Sequence, residues 1–176
     1  MGSEKDLKLI EEIQQLKKVR NATILAHYYA DAGIQDIADF VGDSFYLAKM
    51  GQKSQSDVIL LAGVYFMAES VKILNPSKTV LVPDAEAGCS LVKESPYRDY
   101  LRWRQQTPNG IAVTYINSSA EVKAISDVII TSSNARQIID SIPKDRPILF
   151  GPDKNLGNFL AKETGREMIM WPGTCQ

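Results

Sequence analysis

The stretch ATILAHYY, residues 22–29, and its echo IAVTYIN, residues 111–117, decide how this chain folds. Each is a short apolar run that ends on aromatic or polar residues. Runs of this length without alternation suit strands of a parallel sheet covered on both faces. Outward from them, the chain gives the same order twice. The first copy continues through DIADFVGDS (36–44), DVILLAGVYFMAE (57–69) and TVLVPDAEAGC (79–89). The second continues through AISDVIITSS (124–133), RPILFGPDKNLGNFLAKETG (146–165) and MIMWPGTC (168–175). Tyr28 aligns with Tyr115, Ser44 with Ser132, Gly63 with Gly151 and Cys89 with Cys175, at a spacing that stays between 86 and 89 residues. Two related units turned toward each other would bring equivalent loops and both cysteines to one cleft, a natural place for a ligand or metal.

Helical patterns fill the spaces between the apolar runs. EKDLKLIEEIQQLKKV (4–19) sets Leu7, Ile10, Ile13 and Leu16 three apart, with Ser3 placed to cap the start and Lys17, Lys18 and Arg20 near the end. Residues 34–40 read as a short helix, and 64–76 as a helix stopped by Asn75-Pro76. In the second copy, helices are expected over 96–106, 121–125, 133–141 and 156–163. Strands are expected over 111–116, 127–132, 147–151 and 168–172. Strands alternating with helices imply right-handed crossovers and a parallel sheet in each repeat. The expected class is α/β, with repeated three-layer αβα domains whose short parallel sheets are related by pseudo-symmetry. The two repeats are read as residues 1–92 and 93–176.

The 20 basic and 21 acidic residues are well mixed and leave a formal charge of −1. No basic stripe argues for nucleic acid. No apolar run approaches the roughly 18 residues that span a bilayer. The start MGSEKDLK lacks a signal peptide's apolar stretch, and Asp6 breaks a myristoylation pattern. A cytoplasmic protein without nucleic-acid or membrane partners is expected. In a reducing cytosol the two cysteines would be free thiols, catalytic groups or metal ligands. Neither sits in a Cys-x-x-Cys pair, and two thiolates do not complete a four-ligand metal site.

Ligands of parallel α/β units sit beyond the carboxyl ends of the strands. That rule selects His27 to Tyr29, Asp43-Ser44, Gly63-Val64, Pro83 to Cys89, Tyr115 to Asn117, Thr131 to Asn134, Gly151-Pro152 and Pro172 to Cys175. His27, the only histidine, ends an apolar run at such a position. Tyr29 and Tyr115 are candidate general acids or donors to an oxyanion; the alternative is aromatic packing. Asn117 suits either a carboxylate or a turn. Ser44, Ser132 and Ser133 suit anion binding at a helix start or simple helix capping, which use the same donors. Asp84, Glu86 and Asp153 read as solvated loop charges. Walker, GxGxxG, GxSxG and HExxH motifs are all absent.

At these residues the chain resembles quinolinate synthase, the A protein of de novo NAD biosynthesis. The resemblance runs from about residue 21 to the last residue. It rests on AHYY (26–29), DIADFVGDS (36–44), AGVYFMAE (62–69), KILNPSKTVLVPDAEAGCS (72–90), VTYINSSAEVKAISDVIITSSNA (113–135) and WPGTC (171–175). The resemblance implies three similar α/β domains, each giving one cysteine to a central 4Fe–4S cluster with one iron site open. It implies condensation of iminoaspartate with dihydroxyacetone phosphate to quinolinate, with the cluster as Lewis acid. L-Aspartate oxidase or dehydrogenase would be the metabolic partner that supplies iminoaspartate. Residue by residue, Cys89 and Cys175 resemble cluster ligands. His27, Ser44, Tyr115, Asn117 and Ser132 resemble the residues that hold substrate carboxylate or phosphate. Tyr29 resembles the tyrosine assisting proton transfer, with Tyr115 and His27 beside it in the catalytic set.

The chain departs from that pattern in length. The family runs to roughly three such domains, so a third domain and third cysteine are expected to be missing here. The expectation is a truncated form, apo or labile in cluster and impaired in activity. A non-catalytic two-repeat scaffold for small phosphorylated or dicarboxylate ligands is the alternative. A third reading is self-association through the face that a third domain would cover.

Overall fold

A computed structural model of the chain describes residues 4–175. The chain divides into two compact units, one up to Ala87 and one from Gly88. Both are α/β, and each holds a four-stranded, all-parallel sheet.

In the first unit the order is α1 (Glu4–Val19), β1 (Ala22–His27), α2 (Ala32–Ile37), β2 (Phe40–Gly42), α3 (Ser44–Lys53), β3 (Val58–Ala62), α4 (Tyr65–Leu74) and β4 (Thr79–Leu81). The strands lie in the order β2-β1-β3-β4. The helix expected over 4–19 forms with those bounds; Ser3, expected as its cap, lies outside the described residues. The apolar run stops pairing at His27, so Tyr28 and Tyr29 form a turn rather than a strand end. Sequence periodicity gave no sign of β2 or α3. β2 has only three residues, and α3 carries Gly51 in its interior, where glycine weakens a helix. The glycine sits in a tight place. A Cβ at 51 would stand 3.2–3.3 Å from the Asn75, Ile59 and Val71 side chains, because α3 packs closely on its neighbours.

The second unit repeats the plan. Its elements are α5 (Ser90–Lys93), α6 (Tyr97–Gln105), β5 (Ile111–Tyr115), α7 (Ala120–Ala124), β6 (Val128–Ile130), α8 (Ala135–Ser141), β7 (Ile148–Gly151), α9 (Lys154–Thr164) and β8 (Met168–Met170). Its strands lie in the order β6-β5-β7-β8, the first unit's topology again. Val113, Ile130, Ala135, Ile139, Ile148, Phe150 and Leu160 build one core beneath α8 and α9. Tyr100, Val122 and Trp171 build a second, with Trp103 against it. Residues 88–92 lie with this unit, and Cys89 with them. Among the described residues, no helix is long and apolar enough to cross a membrane.

The repeat extends to single hydrogen bonds. Asp39 accepts the Ile24 N–H at 2.8 Å and the Lys17 ammonium at 2.8 Å. Asp127 accepts the Ala112 N–H at 2.7 Å and the Arg104 guanidinium at 2.9 Å. The strand ladders sharpen the alignment by one residue. Leu25 pairs with Phe40 and His27 with Gly42, while Val113 pairs with Val128 and Tyr115 with Ile130. His27, rather than Tyr28, is therefore the structural counterpart of Tyr115.

Candidate functional site

In both units the strand order reverses beside the first strand, between β1 and β3 and between β5 and β7. Open parallel sheets bind ligands at that switch point, beyond the strands' carboxyl ends. His27 stands at this place in the first unit and Tyr115 in the second.

Around His27 three rings gather. Its imidazole stacks on Tyr28 with centroids 4.4 Å apart and meets Tyr29 edge-on at 4.7 Å. Tyr28 and Tyr29 lie edge-to-face at 4.6 Å. The His27 Nδ1 accepts the Tyr29 backbone N–H at 3.2 Å, so the neutral ring carries its proton on Nε2. Partial burial lowers the His27 pKa, and the nearby Asp43 carboxylate opposes that only in part. The ring is thus neutral near pH 7 and presents an N–H donor. A hydrogen bond to Tyr29 is the main cause that raises the Tyr28 pKa. Tyr29 itself is 82% exposed at the strand end. Gly63 lies across the switch point: a Cβ there would stand 3.4 Å from the His27 Cβ.

Ser44 is the first residue of α3, but Asp43 is the cap, its carboxylate accepting the Tyr46 N–H at 2.8 Å. The same correction applies to Ser132 and Ser133. The residue before α8 is Asn134, and its side chain turns back to accept the Thr131 N–H at 2.7 Å. Ser133 pairs with the Thr131 hydroxyl at 2.9 Å, and Ser132 is an exposed turn residue. A short side-chain acceptor two or three residues from its donor closes such turns more readily than the adjacent serine. In the second unit, Tyr115 ends β5, half-buried Asn117 follows two residues later, and Ser132 lies two residues past the end of β6.

The second unit also holds both thiols, neither of them in a disulfide. Cys89 is half-buried at the start of α5, and Cys175 is exposed beyond β8. Desolvation by its neighbours raises the Cys175 pKa, and the Cys89 and Asp153 charges push the same way. The two sulfurs are therefore near enough to feel each other. Asp153 is not a solvated loop charge. It caps α9, accepting the Asn155 N–H at 2.9 Å. Two soft thiol donors in one unit suit iron or an iron–sulfur group, which thiolates hold. Among the described residues, no group of three or more His, Cys, Asp or Glu side chains is placed to hold a metal ion.

The family described as quinolinate synthetase A protein matches residues 11–176. The chain belongs to this family. It is 55% identical over 169 residues to a quinolinate synthase of Chloroherpeton thalassium, covering 96% of this chain and 52% of that protein. It is 53% identical over 167 residues to one from a Synechocystis species, covering 95% and 52%. A third, from Nostoc punctiforme, is 53% identical over 169 residues, covering 96% and 52%. The chain spans about half the length of the curated relatives it matches.

Sequence reasoning missed Glu94 and Trp171, which anchor the Cys175 arm, and misread Asp153 beside it. Asp153 ahead of LGNFLAKE carried a readable N-cap signal. Glu94 carried none, because its partners lie about 80 residues away in the chain.

Proposed function

We propose that this chain provides two units of a quinolinate synthase, which condenses iminoaspartate with dihydroxyacetone phosphate to form quinolinate, with loss of phosphate and water. The observation that carries the reading is the pair of unbridged thiols gathered in the second unit of a chain that belongs to this family. Cys89 and Cys175 would hold a 4Fe–4S cluster, and the remaining ligation would come from outside these 176 residues. When bound, the cluster supplies a Lewis acid that polarises a substrate oxygen or nitrogen. Ligation requires thiolates, so loading would release protons and strengthen with pH.

The other residues bind and move protons. Neutral His27 donates its Nε2–H to a carboxylate or phosphate oxygen. Its Nδ1 contact with the Tyr29 N–H supports that tautomer and holds the ring. Tyr29, exposed beside the imidazole, passes a proton during ring closure. Ser44, Tyr115, Asn117 and Ser132 hold substrate carboxylate or phosphate groups from the strand ends of their own units. A cytoplasmic setting suits the reduced thiols, and a dehydrogenase or oxidase acting on L-aspartate would supply the iminoaspartate. On their own, the 176 residues would hold the cluster weakly and turn over slowly.

Iron and sulfide analysis of anaerobically purified protein, beside a quinolinate assay, tests this. Cys89→Ser and Cys175→Ser are each expected to abolish iron retention. Iron content unchanged in both variants would refute the ligand assignment.

A further inference from the structure

The arm that carries Cys175 has no regular structure: residues 171–175 leave β8 and form neither helix nor strand. What fixes it comes from the far end of the sequence copy that carries Cys89. Cys89 and Glu94 bracket the single turn of α5. The Cys89 carbonyl accepts the Val92 and Lys93 N–H groups at 3.1 Å, and the Glu94 N–H donates to the Ser90 carbonyl at 2.9 Å. That turn makes Cys89 and Glu94 one rigid piece. Glu94 then reaches the other arm twice. Its backbone carbonyl accepts the Trp171 Nε1–H at 3.1 Å, and its carboxylate accepts the Thr174 N–H at 2.9 Å. Thr174 is the residue next to Cys175.

The opposite side of the arm is held as well. The Lys154 N–H donates to the Gly173 carbonyl at 2.8 Å, and the Trp171 N–H to the Phe150 carbonyl at 2.8 Å. Gly173 is packed so closely that a Cβ would stand 2.7 Å from the Pro152 carbonyl oxygen. Between these contacts, the Glu94 carboxylate ties residue 174 to the α5 turn.

We infer that Glu94 is a positioning residue for the Cys89–Cys175 pair, acting through its hydrogen bond to the Thr174 N–H. Its carboxylate acts on the backbone beside Cys175. It sets the arm on which one sulfur rides against the turn on which the other rides. A carboxylate suits this task because a charge-assisted bond to a backbone N–H is about twice as strong as a neutral one. Outer partners that orient metal ligands typically contribute about tenfold to hundredfold in affinity. The inference rests on the reading that the two thiols act together, and the test separates the two.

Bridging of Cys89 to Cys175 by dibromobimane, which fluoresces once both ends have reacted with thiols, reads the geometry with no cluster present. In the whole chain, Glu94→Ala is expected to slow bridging about tenfold and to speed amide exchange at Thr174, with exchange in β5 and β7 unchanged. Glu94→Gln keeps an acceptor oxygen and is expected to recover most of the bridging rate. Bridging at the wild-type rate in Glu94→Ala overturns the inference, as does a Gln variant no better than the Ala variant. If Glu94→Ala does not fold, wild-type exchange at Thr174 decides: slow exchange supports the clamp and open-loop exchange overturns it. Iron content after anaerobic reconstitution reports separately on the ligands. Iron content unchanged in Cys89→Ser and Cys175→Ser, with bridging of the unsubstituted thiols in this pattern, refutes ligation and leaves the clamp standing.

Discussion

Helices α1 and α6 each precede the first strand of their unit and are held by the same device, yet they dock differently. Lys17 reaches Asp39 and Arg104 reaches Asp127, and each aspartate also accepts a strand N–H. Beyond that pair the helices part. α6 buries Tyr100 completely and sets it against Trp103 and Trp171, with ring centroids 4.9 and 5.1 Å away. The Tyr100 hydroxyl reaches the Thr114 hydroxyl at 3.1 Å. In α1, by contrast, Leu7, Leu9 and Leu16 are each more than half exposed. The anchor's third ring comes from Trp171, which the strand ladders align with Pro83 of the first copy. One repeat therefore kept the polar tether and added an aromatic clasp. The lesson is that a shared topology is specified by backbone satisfaction, while the apolar docking of each helix is decided locally.

The largest expected difference comes from removing the clasp. Trp171→Ala should cost the second unit about 3–5 kcal/mol, read by amide exchange in β5 and β7, since the ring is 8% exposed. Leu16→Ala, at 56% exposed, should change exchange in β1 by no more than about 0.5 kcal/mol. Equal losses would erase the contrast.

Alkaline pH sharpens it. Burial pushes the Tyr100 pKa up to about 12 from an ordinary 10. The unfolded chain loses that proton first, so the stability due to Tyr100 is intact below pH 10 and falls as pH rises toward 12. The loss across that window is about 2–3 kcal/mol, confined to the second unit. Tyr100→Phe should remove this alkaline loss at a cost of about 1 kcal/mol at neutral pH. Exchange measured against pH in both variants checks it.

A glycine pair gives the next contrast. The ladders pair Ala26 with Ala62 and Thr114 with Gly151, so Gly151 stands where the first unit has alanine. A Cβ at 151 would lie 2.7 Å from the Tyr100 hydroxyl and 2.8 Å from the Trp171 Cβ. Gly151→Ala should cost about 1–3 kcal/mol by overpacking. Gly63→Ala meets Met67 and His27 at 3.3–3.4 Å and should cost less. Thermal melts of the two variants would settle the order.

The smallest expected difference is between Asp39→Asn and Asp127→Asn. Each keeps an acceptor for the strand N–H and loses its cationic partner. Similar losses of about 1 kcal/mol or less are expected, and a large disparity would show that the tether is not equivalent in the two units.

Much of the candidate site was legible because position along a strand is a local property. An apolar run that breaks at His27 or Tyr115 marks a strand end, and strand ends in parallel sheets are where ligands lie. The serines were harder. Ser44, Ser132 and Ser133 had the right composition for caps, but Asp43 and Asn134 stood one residue from helices whose starts periodicity could not fix to that precision. β2 and α3 went unseen because three residues carry no period and because Gly51 obscured the helix.

By itself the sequence determined the class of fold, the twofold repetition and the positions of both cysteines. These follow from apolar periodicity and spacing, which act over a few residues. Only the tertiary structure decided that Cys89 lies in the same unit as Cys175, that the Glu94 carboxylate accepts the Thr174 N–H, and that His27 rather than Tyr28 matches Tyr115. Each of those depends on ladder register or on hydrogen bonds between residues far apart in the chain. Such contacts are set by how whole elements pack, and no local pattern encodes them.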